Sequence, residues 1–388
     1  MENEMNRGRG RGGGRGRGRG RGEEAASGGE KERGRREGRG RGAGRGEEER
    51  ELEASGGREE TRGRGRGRRM TEERRGGEER LRRAVNQPGN IAGVFIPEPV
   101  LAPVPKPVRL GSEPLVFFDI ETTGFGAQSH IIQIAGVRGD SSYSAYVIPD
   151  IPIGVRATAV TGISLNKGLL WHHGRVVEAQ SIRNALKGFF EFLGPGRVLL
   201  VGHNAKTFDS RVLITTATNT GMINVLKMRT LGFLDTLPLF RKLYPRRKTH
   251  TLGDLHKSLI GEKFAAHNAS ADTRALQRLV EKVSPDLKTM EAYTFDVEYV
   301  EAALAYLYMK KESMETLYPL ENVNVKVSML EKIAASGLKM EHLQAAYKSD
   351  RENGIRELFA QQLPDGKARV TRVKRIVDNV ISFFENAA

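Results

Sequence analysis

Between residues 115 and 283 the chain alternates short apolar runs with amphipathic stretches, a pattern typical of an α/β domain. The apolar runs predict strands, and apolar residues at helical spacing predict helices. The predicted strands are Leu115–Glu121, Ile131–Val137, Ser142–Ile148, Val198–Val201 and a short one ending at Leu234. The predicted helices are Val177–Leu193, Thr207–Thr218, Leu237–Leu243, Leu252–Leu259 and Ala269–Val283. Their order predicts an α/β fold, with helices flanking a mixed five-stranded sheet that spans residues 113–285.

Beyond this domain, residues 286–388 keep a helical pattern, so we expect a helical C-terminal domain. Its predicted helices are Asp296–Lys310, Val327–Ile333, His342–Tyr347, Ile355–Leu363 and Val370–Phe384. Gly337 and Gly354 are expected to separate the middle ones. The pattern suits packing and protein contacts, and contact with a DNA backbone is the alternative.

The first 112 residues lack any pattern of burial. Residues 1–85 alternate Arg-Gly repeats with glutamate-rich runs, so we expect a disordered tail. Arg-Gly segments contact RNA and single strands through phosphate binding and guanidinium stacking, although a merely solubilising tail is the alternative. Residues 86–112 contain six prolines, which predict a semi-extended linker.

Composition narrows the classes of function. The net charge of +15 at pH 7 and the pI near 9.9 favour a polyanionic partner, chiefly nucleic acid. The alternative is a basic tail attached to an unrelated domain. Cysteine is absent, which excludes disulfides, cysteine-bound zinc and a thiol nucleophile. No apolar run is long enough for a membrane span, and no secretory signal is evident. We therefore expect an intracellular protein without a membrane partner, the nucleus being slightly favoured.

Acidic residues recur where the predicted elements meet. Asp119 and Glu121 end the first strand, Asp209 begins a helix after a strand, and Asp272 follows His267 at the last helix of the domain. Taken singly, these are a solvated turn, helix-start acids and a surface histidine. Taken together they place carboxylates at the ends of strands, where α/β sheets bind ligands, and carboxylate clusters select hard cations such as Mg²⁺ or Mn²⁺.

The three motifs FFDIETTG, GHNAKTFD and HNASAD resemble those of the DnaQ-like, or DEDDh, 3′-to-5′ exonucleases. The segments LDTLPLFRKLYP and THTLGDL between them also resemble that family, so the likeness covers Leu115 to Val283. Within the family the chain is most similar to three-prime repair exonucleases and to the exonuclease-like C-terminal region of promyelocytic leukaemia protein. That second group commonly loses the acids, whereas all four acids and the histidine stand here.

The resemblance implies a ribonuclease H-like exonuclease fold and a role for each motif residue. Asp119 would bind both of two Mg²⁺ (or Mn²⁺) ions, Glu121 and Asp272 would complete the site of the nucleophilic water, and Asp209 would hold the second ion. His267 would take the proton from that water. The residues expected to bind the terminal nucleotide or orient the site are Thr122, Thr123 and Asn204.

The implied function is metal-dependent 3′-to-5′ hydrolysis that releases nucleoside 5′-monophosphates, with single-stranded 3′ ends as partners and DNA slightly favoured over RNA. The alternative is a catalytically silent scaffold that binds nucleic acid or protein. A homodimer agrees with the relatives, but no interface is readable. Lys206 and the basic segment Arg246–Lys248 have two interpretations, contact with the nucleic acid or a solvated surface. A basic import signal is a weaker interpretation of the segment.

Overall fold

The structure is a computed structural model that describes residues 94–126 and 128–386. The predicted tail, residues 1–85, and the start of the linker lie outside the described residues. In chain order the strands are β1 (Leu115–Thr122), β2 (Ile131–Arg138), β3 (Ser141–Val147), β4 (Ile163–Asn166), β5 (Leu169–His172), β6 (Arg175–Val176), β7 (Ala179–Gln180), β8 (Val198–Gly202), β9 (Thr230–Asp235) and β10 (Thr294–Phe295).

Within the described residues, the earlier helices flank the sheet and the later ones follow it as a separate helical part. They are α1 (Val155–Thr161), α2 (Ile182–Leu193), α3 (Asp209–Asn219), α4 (Ile223–Arg229), α5 (Thr236–Leu243), α6 (Leu252–Leu259), α7 (Ala269–Val283), α8 (Leu287–Glu291), α9 (Val297–Leu317), α10 (Val327–Ala335), α11 (Met340–Ala360) and α12 (Lys374–Glu385). A 3₁₀ turn, Tyr318–Val323, joins α9 to α10. None of the described helices is long and apolar enough to cross a membrane.

The main sheet is mixed, as predicted, and has the strand order β10-β9-β8-β1-β2-β3-β7. β1, β2 and β3 form an antiparallel meander, and β8 and β9 run parallel to β1. The five predicted strands form its body, while β7 and β10 add two residues at each edge. A second sheet, β4-β5-β6, was not predicted. Its strands of two to four residues, with lysine, glycine and histidine between them, are too short to show periodicity.

Apolar side chains fill both faces of the main sheet because successive residues of a strand point to opposite sides. Phe118 and Ile120 of β1 join one core with α2, α3 and the first half of α9. Phe117, the residue before Phe118, points to the opposite face and joins the other core with α5, α6 and α7. The first residues of α7 therefore lie on the face to which Asp119 and Glu121 also point.

The C-terminal helices bury a third core of their own. Each of four helices contributes to it, for example Leu317 of α9, Leu330 of α10, Phe359 of α11 and Phe384 of α12. Because α9 supplies Val300 and Leu304 to the first core and Met314 and Leu317 to the third, this one helix belongs to both.

The proline-rich segment runs extended across both parts of the molecule. The Val100 amide donates to the Ser336 carbonyl oxygen (3.3 Å), and the Val108 amide donates to Thr294 Oγ1 (2.6 Å). Ile96 packs against the third core, and Leu110 packs against the core that holds Phe117. From residue 94 onward, the predicted linker is therefore fastened to the fold along its length.

Several predicted helix boundaries were wrong for local reasons. α2 begins at Ile182 rather than Val177 because the Ser181 side chain caps it by accepting from the Asn184 amide. α11 does not break at Gly354 but at Asp350 and Arg351, whose φ angles are −146° and 45°. Gly354 lies inside the helix, where its missing side chain permits close contact with the Ala346 backbone. Gly337, with φ of 81°, does separate α10 from α11.

Candidate active site

β1 carries the first two acids to the centre of the sheet. Asp119 and Glu121 are two residues apart, so their side chains leave the same face of the strand. Neighbouring strands cover β1 on both edges, β2 antiparallel and β8 parallel. At the acids themselves β1 pairs in register with β2, Asp119 opposite Ala135 and Glu121 opposite Gln133, which fixes the direction of both carboxylates.

Asp272, in the first turn of α7, completes a cluster of three carboxylates. One oxygen from each of Asp119, Glu121 and Asp272 lies within 4.8 Å of the other two. The Asp272 carboxylate also accepts from the Asn268 amide at 2.9 Å, which ties it to the start of its own helix. The structure therefore brings together three of the four acids that the sequence indicates.

Asp209, the fourth acid, begins α3 and faces the same cavity. Its side chain is buried, and its charge raises the pKa values of both Asp119 and Glu121. The cavity measures about 680 Å³ and is lined by all four acids together with Asn204 and His267.

The acids hold their protons unusually tightly. Burial, followed by repulsion from its acidic neighbours, raises the pKa of Asp119 far above its ordinary value. The same two causes raise the pKa of Glu121 to about 8. Burial raises the pKa of Asp209 to about 7 and that of Asp272 to about 6, although the Asn268 amide and the His267 side chain restrain the latter. Like charges that are partly removed from water resist ionisation unless a cation neutralises them.

His267 stands at the lip of this cavity in a backbone conformation that side chains rarely adopt. Its φ angle is 66°, in the left-handed region. The next residue, Asn268, caps α7 by accepting from the Ala271 amide. The sharp corner at His267 therefore turns the chain into α7 with the imidazole facing the acids.

Asn204 lies on a second left-handed corner, with φ of 71°, after β8. Its side-chain oxygen accepts from the Thr207 hydroxyl at 2.7 Å, so the amide organises its own turn. His203 before it is buried between Thr236 Oγ1 (3.0 Å) and the His250 carbonyl oxygen (2.8 Å). Burial lowers the pKa of His203 to about 4, so this imidazole is neutral and structural at physiological pH.

Asp235 is a residue that the sequence analysis did not assign. Its carboxylate accepts from the amides of Asn204 (2.9 Å) and Lys206 (3.1 Å) and caps α5 by accepting from the Leu237 amide (3.0 Å). It therefore holds the corner that precedes Asp209. Its position directly after an apolar strand could have identified Asp235 from the sequence, as it identified Asp119.

Thr122 and Thr123 lie directly after Glu121 but are not among the residues that line the cavity. Both are buried, and their hydroxyls serve the turn: Thr122 donates to the Gly124 carbonyl oxygen, and Thr123 accepts from the His130 amide. In the structure both hydroxyls stabilise the loop after β1. Contact of either residue with a nucleotide stays a prediction.

Two basic residues line the same cavity as the acids. Arg241 and Lys248 line it, so one end of the predicted basic segment Arg246–Lys248 reaches the site. Arg247 instead donates to the Asp254 carbonyl oxygen at 3.1 Å. The Lys206 ammonium lies 5.3 Å from the centre of the Tyr299 ring, a cation–π contact with α9.

Two family models match the chain. Residues 116–280 match a model described as an exonuclease, and residues 314–387 match one described as the C-terminal domain of PML. Residues 116–280 are therefore similar in sequence to exonuclease domains. This match covers all four acids and His267, and it confirms the ribonuclease H-like fold expected from the motifs. The second match falls on the helical C-terminal part, where the sequence analysis had found no family pattern.

Proteins similar to the exonuclease domain include the PolC-type DNA polymerase III of Listeria innocua, 31% identical over 198 residues, which are 49% of this chain and 12% of that protein. The same polymerase of Bacillus subtilis is 31% identical over 190 residues, which are 46% of this chain and 12% of that protein. The chain therefore spans about an eighth of the length of these relatives.

Two solved structures are also similar. The structure of exonuclease I shares 19% identity with a TM-score of 0.38, over 47% of this chain and 43% of that chain. The complex of exonuclease X with 5′ overhanging duplex DNA shares 22% identity with a TM-score of 0.32, over 46% of this chain and 98% of that chain.

The acids of the exonuclease domain fit hard divalent cations. Carboxylate oxygens are the donors that Mg²⁺ and Mn²⁺ prefer, and three of them converge within 4.8 Å. Their raised pKa values show that the protein alone does not neutralise the cluster. Asp119, Glu121 and Asp272 could therefore bind a divalent metal, and Asp209 lines the same cavity.

Proposed function

We propose that the chain is a metal-dependent 3′-to-5′ exonuclease that releases nucleoside 5′-monophosphates from nucleic acid. The observation that carries the proposal is the single cavity shared by four acids and a histidine within an exonuclease-family domain. A scaffold has no need to keep four carboxylates together, because burial and mutual repulsion make that arrangement costly.

The acids would hold two Mg²⁺ or Mn²⁺ ions, as the resemblance implies. When bound, such ions neutralise the charge that develops on the scissile phosphate and acidify water. Binding requires the carboxylates to be ionised, so Glu121 and Asp209 must lose the protons that their raised pKa values favour. This requirement predicts tighter metal binding at pH 8 than at pH 6.

His267 acts in this proposal as the general base. Its neutral imidazole accepts a proton from the attacking water, whose oxygen forms a bond to the phosphorus of the last phosphodiester. The bond from phosphorus to the 3′ oxygen of the shortened strand breaks, and that oxygen takes up a proton. The departing nucleotide keeps the phosphate on its 5′ oxygen. Arg241 and Lys248 line the same cavity as the acids, where they would attract the phosphates of the incoming strand.

Substrate and setting follow from weaker support. The polymerases that the domain resembles act on DNA by name, which favours DNA over RNA here. The binding mode that we propose is a single-stranded 3′ end, because one exposed strand end is enough to place the last phosphate over the acids. A basic pI near 9.9 favours an intracellular, nucleic-acid-rich setting, with the nucleus ahead of the cytoplasm.

A second candidate is a silent scaffold, favoured by the match of residues 314–387 to the C-terminal domain of PML. In that case the exonuclease domain would bind nucleic acid or protein without cleaving it. The two candidates differ in one outcome: the scaffold binds a labelled strand and releases no nucleotide even when the protein is in molar excess.

The decisive experiment follows a single strand labelled at its 5′ end, with Mg²⁺ or with EDTA. We expect a ladder of progressively shorter labelled strands, and labelled 5′-monophosphate as the first product when the label is at the 3′ end. Asp119→Asn should lower the rate on the order of 10³-fold, because the charge of Asp119 is lost at the centre of the site. The matched control is Asp140→Asn, at an exposed turn.

Three results would contradict the proposal. A labelled mononucleotide released first from the 5′-labelled strand would reverse the polarity. Unchanged activity of Asp119→Asn would place the chemistry elsewhere. Metal-independent binding of the strand without any product would favour the scaffold.

A further inference from the structure

The start of α7 is held by side chains from two adjacent strands. Gln133 of β2 is buried, and its side-chain oxygen accepts from the Ala269 amide at 3.1 Å. Tyr146 of β3 is the register partner of Gln133, and its hydroxyl lies 3.5 Å from the side-chain nitrogen of Asn268. The two residues that follow His267, Asn268 and Ala269, are therefore each contacted by a side chain of the sheet.

Tyr146 extends this contact to the small sheet. Its hydroxyl lies 3.0 Å from Nδ1 of His172, which belongs to β5, and the two rings are 5.6 Å apart between centres. The Asn268 side-chain nitrogen is only a donor, so the Tyr146 oxygen accepts from it. We assign to His172 the tautomer with its proton on Nε2, so that Nδ1 accepts from the Tyr146 hydroxyl. The chain of hydrogen bonds thus runs in one direction, from Asn268 through Tyr146 to His172.

The protonation states suit this direction. Burial raises the pKa of Tyr146, so its hydroxyl keeps the proton that it donates. Burial and the adjacent His173 lower the pKa of His172, which favours the neutral ring, and a neutral imidazole offers one acceptor nitrogen.

Asn268 connects the chain of hydrogen bonds to the site. Its amide donates to the Asp272 carboxylate at 2.9 Å, and its side-chain oxygen caps α7. It also follows His267, whose left-handed backbone is strained and persists only where the surroundings hold it. An Asn268 side chain free to rotate would loosen both neighbours.

We propose that Tyr146 and His172 are positioning residues, which hold Asn268 so that His267 and Asp272 keep their places in the site. The inference rests on the proposed function, since it assigns these two residues to the same reaction. It also gives the unpredicted sheet β4-β5-β6 a role: that sheet presents the acceptor at which the chain of hydrogen bonds ends.

The first test is Tyr146→Phe, which removes only the hydroxyl. We expect kcat to fall about fivefold with KM unchanged, the factor that corresponds to one neutral hydrogen bond. We expect the amides of residues 268–272 to exchange with deuterium about fivefold faster in the metal-free protein. The matched control is Tyr143→Phe on the same strand, which loses a hydroxyl bond of 2.7 Å to the Ala185 carbonyl oxygen and should change neither quantity.

The second test separates positioning from packing at His172. Asparagine can place an oxygen near the position of Nδ1, so His172→Asn should keep kcat and exchange close to wild type. His172→Leu should reproduce the effects of Tyr146→Phe. The double variant Tyr146→Phe/His172→Leu should be no worse than either single variant, because both break one chain of hydrogen bonds.

The outcomes distinguish this inference from the proposed function. Wild-type kcat and wild-type exchange in Tyr146→Phe would overturn the positioning role while the exonuclease stands. Equal losses in His172→Asn and His172→Leu would likewise overturn it, because the acceptor would then be irrelevant. An inactive wild-type protein would refute the exonuclease, and faster exchange at residues 268–272 would still show that Tyr146 positions this segment.

Discussion

At the scale of single residues, the site is built from groups that oppose one another. Asp119, Glu121, Asp209 and Asp272 are brought together by three different elements, and their burial weakens the screening of their charges by water. The folded, metal-free protein therefore carries protons that the unfolded chain would release. This difference makes the stability of the fold depend on pH and on metal in a direction that can be calculated.

Glu121→Gln should stabilise the metal-free protein at high pH. The pKa of Glu121 is raised from 4.5 to about 8 in the fold, so stability falls as the pH rises through this window and the full penalty is present above pH 8. The variant lacks that penalty. At pH 8.5 in EDTA we expect a gain of at least about 1 kcal/mol, roughly 2–4 °C in the melting temperature.

The check is the same comparison well below pH 4.5, where Glu121 is protonated in both states and the two proteins should have the same melting temperature. Mg²⁺ at pH 8.5 should raise the melting temperature of the wild type more than that of the variant. Glu178→Gln, at an exposed position, should behave as the wild type throughout. A variant less stable than the wild type at pH 8.5 in EDTA would show that Glu121 is stabilised by a partner.

The candidate site was readable from sequence because its acids follow apolar strands or open amphipathic helices. Asp119 and Asp272 could be assigned in this way. Asp235 carries the same signal, but two of its three backbone hydrogen bonds come from a corner about 30 residues away. Tyr146 and His172 carry no signal at all, since their contacts join strands whose pairing is set only by the fold.

At the scale of elements, the long apolar runs predicted the strands well and the helix ends less well. A helix end depends on a local cap, such as Ser181 before α2, that competes with an apolar pattern extending further. The break in α11 illustrates the limit. The sequence suggests Gly354 as the breaking point, whereas the chain breaks at Asp350 and Arg351 and uses Gly354 for close packing.

Gly354→Ala should therefore destabilise the C-terminal core. A methyl group at Gly354 would overlap the carbonyl oxygen of Ala346, a backbone atom that cannot turn aside. We expect a loss of about 2–3 kcal/mol in unfolding free energy, measured by urea denaturation. Gly253→Ala is the matched control, a helical glycine of α6 with open space around it, and should gain about 0.5–1 kcal/mol. Equal effects of the two substitutions would contradict close packing at Gly354.

At the scale of the whole molecule, α9 joins the two segments that match different family models. Its first half is buried with the sheet through Val300 and Leu304, and its second half is buried with the C-terminal helices through Leu317. The extended segment from residue 94 fastens to both parts independently of α9. A helix shared by two cores leaves no linker at which one part can unfold alone.

Calorimetry should therefore show one unfolding transition for the described body. Leu330→Ala in the C-terminal core and Leu200→Ala in the sheet should each lower that same transition, because each removes a fully buried leucine at a cost of about 2–5 kcal/mol. Mg²⁺ should raise it in both variants. Two transitions, with Leu330→Ala moving only one of them, would show that the cores are independent.

The shared helix also fixes a length. A helix of 21 residues measures about 30 Å, and burial at both ends keeps it from pivoting. A partner that binds the C-terminal helices would therefore be carried at a constant distance and angle from the carboxylate cluster. In such a complex the length of α9 would set the distance along the nucleic acid strand between that partner and the end being shortened.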